Sequence, residues 1–119
     1  MLPPMEIAAT VLALLLAAIM AGSAFVKLTK QAPVVDNLDK AGVPHSIYPL
    51  LATIQLVGAV GLVVGIWMAW AGVAAGIGFA LYFALAVAAH VRAGDSKGIG
   101  VPLALGLVAA AEAVLRAGA

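Results

Sequence analysis

The side chains able to do chemistry in this sequence are few, and they stand inside or at the ends of long uncharged runs. His90 follows the run 71–89 and is itself followed by Arg92, Asp95 and Lys97. An imidazole there can donate to a carbonyl of a neighbouring helix or meet headgroups; it can equally bind a ligand or handle a proton. Lys27 closes the run 7–26, with Ser23 one helical turn earlier on the same face. It can snorkel to lipid phosphates or present its cation to a ligand. Gln55 lies about 12 Å inside the run that begins at 47, counted by the rise of a helix. A buried amide needs partners, so Gln55 either bonds across helices or contacts a ligand. Lys27, Gln55, His90 and Arg92 are therefore the candidate ligand-binding residues, and a shared polar pocket is open to Lys27, Gln55 and His90.

Glu112 stands well inside the last apolar run, and Arg116 follows it at i+4, the favoured order for a helical ion pair. A self-contained pair is one reading; a proton- or cation-coupling carboxylate is the other. The sequence holds no nucleophile–base constellation, phosphate loop or metal-ligand spacing, and its two histidines stand at 45 and 90. No catalytic and no metal-binding residue is assigned. The absence of cysteine removes disulfide exchange and thiolate chemistry from this chain.

Composition names the solvent in which these residues must be held. Of 119 residues, 66% are hydrophobic and 9% charged, whereas a soluble domain is about half apolar and about a quarter charged. A chain this short has too much surface to hide that excess from water, so lipid must cover it. The net charge of +1 with scattered basic residues gives no case for a nucleic-acid partner. The expected fold is an all-α membrane protein, four transmembrane helices in a compact bundle over 6–28, 47–67, 71–91 and 99–116, within one domain 1–119. Runs of roughly 20 helical residues match a bilayer core of about 30 Å.

The connections fit this plan. A leader, 1–5, carries Pro3 and Pro4, which suit the approach to a helix. Residues 21–24 look like a signal-peptide cleavage site, but Glu6 precedes the run and the positive charges follow it, the reverse of such a signal. The one long polar connection is 31–46; its middle, 33–41, suits a short interfacial helix with Val34, Val35 and Leu38 as its apolar edge. Residues 68–72 read as a tight turn beside Trp67 and Trp70, aromatics typical of an interface. All Lys and Arg except Arg116 fall in the first and third connections. The positive-inside rule then predicts those connections in the cytoplasm, both termini outside, and a multi-pass protein of the cell membrane.

Glycines mark where helices can approach. Gly58, Gly61 and Gly65 lie on the second span, the last two in GxxxG spacing, and Gly72 and Gly76 on the third. On a helical projection His90 falls within about 40° of Gly72, Gly76, Phe79 and Phe83. That stripe is expected to face another helix and to carry His90 down to its polar rim.

Four strings then call for comparison: Gly22-Ser23-Ala24-Phe25-Val26-Lys27-Leu28; Ala41-Gly42-Val43-Pro44; the span from Gln55 to Gly65; and Ala89-His90-Val91-Arg92-Ala93-Gly94-Asp95. In order and spacing they resemble the DoxX-like family of small membrane proteins, which has a small-residue turn before Lys-Leu, a Gly-x-Pro before span two, and a His-x-Arg-x-Gly-Asp ending to span three. The family often has Glu where this chain has Gln55, which separates it from any role needing a carboxylate there. The resemblance implies a four-helix integral membrane protein of poorly defined activity, most members of the family having no established reaction. It also implies a link to quinone-dependent redox complexes or to membrane-protein assembly, because the family is named from a subunit linked to thiosulfate–quinone oxidoreduction.

Three functions compete on this basis. The first is a non-catalytic subunit or accessory protein that self-associates or joins a larger membrane complex, with no covalent cofactor and with quinone or lipid as the bound molecule. The second is a redox subunit acting on quinone or lipid through His90 and Lys27. The third is a small proton-coupled transporter; the chain is similar in size to the small multidrug resistance family, but it has only Glu112, on the last span, where those proteins use a glutamate on the first.

Overall fold

The computed structural model describes residues 4–118, and the chain there is helical wherever it runs uncharged, turning only at proline, glycine or a charge cluster. Pro3 of the leader and the last residue, Ala119, lie outside the described residues. Helix α1 spans Pro4–Leu28, α2 Ala32–Lys40, α3 Tyr48–Val64, α4 Ala69–Arg92 and α5 Gly100–Gly118, with single 3₁₀ turns at His45–Ile47 and Ser96–Gly98. No strand occurs among the described residues. Pro33 and Pro49 sit in the first two positions of α2 and α3, where a missing N–H leaves no hydrogen bond unmade.

Four of the helices are long and apolar enough to cross a membrane. They form a ring in which α1 packs on α3 and α5, and α4 packs on α3 and α5. Each buries one stripe at helical spacing. On α1 it is Ala9, Ala13, Leu16, Ala17, Met20, Ala24 and Lys27, and the opposite face presents Leu14, Leu15 and Phe25 outward. That division is what a bundle in lipid requires, since apolar side chains on the outside meet an apolar solvent. The central cluster joins Leu16 and Met20 of α1, Leu62 of α3, Phe79 and Phe83 of α4 and Ala109 of α5.

The α3–α4 turn differs from the expectation drawn from hydropathy. α3 stops at Val64 rather than 67, and the turn occupies 65–68 rather than 68–72. Apolarity does not end a helix here; backbone proximity does. A side chain on Gly65 would run into the backbone of Gly72, so the two helices meet at bare glycine and must turn back within a few residues. Further along the same seam, Gly58 lies beneath the ring of Phe79 and Gly61 faces Ala75.

The helices beside the polar connections end in a common way. After α4, the Gly94 amide donates to the Val91 carbonyl and the Asp95 amide to the His90 carbonyl, with Gly94 at φ +74°. This is a Schellman cap, which needs one residue in the left-handed region. The same pair of bonds closes α2, around Gly42 at φ +77°, and α1, where Lys30 occupies the left-handed position at φ +52°. The α2 helix itself falls where the sequence places an interfacial helix, with Val34, Val35 and Leu38 as its half-buried edge.

Packing is uneven along the bundle axis. The buried residues of α5 are Ala109, Glu112, Ala113 and Arg116, all in its second half. Its first half, beside the polar connections, leaves space between the helices.

Candidate functional site

That space is a cavity of about 260 Å³ with walls from all five helices. α1 contributes Ser23 and Lys27, α2 contributes Asn37, α3 contributes Gln55, and α4 contributes Tyr82 and His90. The rest of the lining is largely apolar and includes Met20, Phe83 and Leu105. The arrangement suits a molecule with a hydrogen-bonding head and an apolar body.

Lys27, Gln55 and His90, far apart in sequence, therefore line one cavity, and they are 6%, 1% and 4% exposed. Arg92, named with them, is exposed and forms no part of the lining. Lys27 does not snorkel outward: its Nζ donates to Ser23 Oγ at 2.6 Å. Gln55 Nε2 donates to the same oxygen at 3.1 Å and approaches Met20 Sδ at 3.5 Å. Gln55 Oε1 is buried with no hydrogen-bond partner among the described residues. Exchanging the two amide atoms would transfer that deficit to Nε2, so one end of the amide is unpartnered either way.

His90 is held from behind. Asp95 Oδ2 lies 2.9 Å from His90 Nδ1, and the cap on Gly94 delivers Asp95 to that place. Gly98 lies directly over the pair, where any side chain would strike the ring and the carboxylate. A carboxylate accepting from Nδ1–H leaves Nε2 of a neutral ring as an acceptor. The string His90-Val91-Arg92-Ala93-Gly94-Asp95 is thus a helix end that folds onto its own histidine.

Glu112 and Arg116 occupy the other end of the bundle and take no part in this cavity. Arg116 Nε is 4.0 Å from Glu112 Oε2, an ion pair too long to be a hydrogen bond. The Arg116 guanidinium also donates to Thr10 Oγ1 at 3.0 Å, tying α5 to α1. Both Glu112 oxygens are buried without a hydrogen-bond partner among the described residues. The carboxylate fits because Gly72 and Gly76 of α4 leave room for it; a Cβ on Gly76 would collide with Oε1.

Several of these participants escaped the reading from residues alone. Tyr82 and Asn37 reach the cavity only through tertiary packing, and Thr10 meets Arg116 across the whole chain. Asp95 had a local signal: a glycine immediately before it, at the end of a helix carrying histidine. No cluster of His, Cys, Asp and Glu suited to a metal ion is present among the described residues.

Two apolar grooves mark the outer surface, about 580 Å³ between α3 and α4 and about 520 Å³ between α1 and α3.

Comparison with known proteins adds one match. The model of the DoxX-like family aligns with residues 11–112, which contain the core of all four long helices and the cavity wall. No curated protein and no solved structure matches the chain.

Proposed function

The chain belongs to the DoxX-like family and is a multi-pass membrane protein, and from that premise we propose that it is a non-catalytic subunit of a larger membrane complex that holds a membrane-dissolved molecule by its head. The observation that carries the reading is that Lys27, Gln55 and His90 line one cavity together with apolar side chains. Buried polar groups without protein partners are costly unless something else satisfies them. A quinone or a lipid, neither covalently attached, supplies both the polar head and the apolar body. The small-residue groove between α3 and α4 supports a partner helix or a second copy of the chain. We place the protein in the cell membrane, with the Lys- and Arg-rich connections in the cytoplasm and both termini outside.

Mild-detergent purification from the native membrane tests this reading. The expected result is a complex larger than the monomer that carries bound quinone or lipid. A lone monomer with neither partner nor bound molecule would end it.

A second reading, a redox subunit acting on quinone, draws on the His90–Asp95 pair. With Nδ1 committed to Asp95, Nε2 can take a proton from a hydroxyl in the cavity, and Lys27 can stabilise the oxygen that loses it. Quinone binding and turnover unchanged in His90→Ala would rule this out. The transporter reading gains no support, since Glu112 is packed among Gly72, Gly76 and Arg116 rather than on the cavity wall.

A further inference from the structure

We propose that the cavity takes the carboxylate head of a single-chain amphiphile, which enters sideways from the bilayer between α1 and α5. This rests on the ligand-holding reading above and names the class of ligand.

Charge is the first reason. Lys27 is nine-tenths buried, its hydrogen-bond partner is the neutral Ser23, and no carboxylate lies within 4.0 Å of its Nζ among the described residues. An ammonium out of water needs a counter-charge as well as hydrogen bonds. The Asp95 carboxylate is engaged with His90 on its far side, and the other carboxylates of the chain pair elsewhere or stand outside the cavity lining. The missing negative charge is therefore the ligand's.

Donor count is the second. An ammonium has three protons and Lys27 spends one on Ser23. Ser23 Oγ accepts from both Lys27 and Gln55, so its own O–H is left to give. A carboxylate, which only accepts and has two oxygens, answers both donors at once; with the Gln55 amide atoms exchanged, the Ser23 O–H goes to Oε1 and the freed Nε2 becomes the second donor to the same head.

Size and access decide the rest. A volume of about 260 Å³ is below the range of about 300–1,000 Å³ usual for drug-sized ligands. It admits a compact head and the start of one chain, not a glycerophosphodiester with two. The lining also includes Ile19 of α1 and Val101 of α5, which are 47% and 71% exposed on the outer, lipid-facing surface. The cavity therefore reaches the bilayer through the gap between those helices, while Asn37 and Leu38 of α2 stand on its polar side. The chain of the amphiphile leaves by that gap and the head stays at Lys27.

Binding of radiolabelled palmitate to the full chain in phosphatidylcholine nanodiscs, against empty nanodiscs, tests the proposal. Wild type is expected to bind saturably. Lys27→Gln should weaken binding by about tenfold or more, the scale for removing one partner of a buried charged contact. Hexadecanol, with the same chain and a neutral head, and acetate, with the head and no chain, should each compete at least about tenfold less well. Val101→Trp fills the gap from an exposed position and leaves every head-binding residue in place; it should abolish or greatly slow binding. Palmitate bound equally by wild type and Lys27→Gln, displaced equally by hexadecanol, or bound no better than by empty nanodiscs overturns the proposal. Saturable binding of decylubiquinone with none of palmitate would keep the ligand-holding reading and remove this one. Palmitate binding by a chain that joins no complex would do the reverse for the subunit role.

Discussion

His90 and Asp95 are joined twice: the Asp95 amide donates to the His90 carbonyl at 2.9 Å, and Asp95 Oδ2 lies 2.9 Å from His90 Nδ1. The first bond is part of a helix cap and the second aims an imidazole, so one turn of backbone performs both tasks. Burial of the pair beside the cavity makes the histidine's tautomer a property of the fold.

Asp95→Ala should keep the backbone bond and release the ring. In ¹⁵N-histidine NMR of the wild type, the neutral His90 ring is expected as the Nδ1–H form, with Nε2 unprotonated. In the variant, with no carboxylate to accept from Nδ1–H, the Nε2–H form should gain population. An unchanged spectrum would mean that the carboxylate does not orient the ring.

The left-handed cap positions should respond in opposite directions. Gly94→Ala places a Cβ at φ +74° and should cost about 1–2 kcal/mol. Lys30→Gly relieves the same strain at φ +52° and should gain up to about 1 kcal/mol. Equilibrium unfolding in mixed detergent micelles measures both. Equal and same-signed shifts would contradict the cap assignment.

Gly65→Ala should be costly where Gly22→Ala is not. The new methyl at Gly65 meets the Gly72 backbone, which has nowhere to retreat, whereas nothing lies within 4 Å of a Cβ on Gly22. About 1–3 kcal/mol is expected for the first, the usual range for overpacking. For the second, about 0–1 kcal/mol of stabilisation is expected, from helix propensity. The same unfolding assay compares them.

Glu112 and Arg116 should be non-additive. Arg116→Met alone leaves a buried carboxylate without its cation and should cost about 3–5 kcal/mol. Adding Glu112→Gln should recover part of that, with a coupling of roughly 1–3 kcal/mol in a double-mutant cycle. Strict additivity would show that the 4.0 Å separation carries no interaction.

Much of this architecture is legible in the sequence because charge and apolarity sort along the chain. The runs ending at Lys27 and His90 locate two span ends, and the Val34, Val35 and Leu38 spacing locates α2. The turn at 65–68 is not legible from hydropathy, because Val64, Ile66 and Trp67 are all apolar and only the Gly65–Gly72 approach distinguishes them. The site divides in the same way. Ser23 beside Lys27 and Asp95 beside His90 are local relations, readable from a helical turn and a glycine cap. Whether Lys27 points out to headgroups or inward depends on packing against four other helices, which no local pattern encodes. Thr10 with Arg116 is a contact between opposite ends of the chain.

The uneven packing of α5 has a mechanical consequence. Hydrostatic pressure does its work on voids, because unfolding or collapse reduces volume only where space exists to be lost. The end built on Gly65, Gly72 and Ala109 is already close-packed, so it resembles an incompressible hinge. The end around Gln55 and His90 encloses the cavity and is soft. Under pressure, NMR resonances of those two residues should shift well before those of Gly72 and Ala109, and a bound occupant should stiffen them. The bundle would then yield from one end only, as a cup closes toward its base.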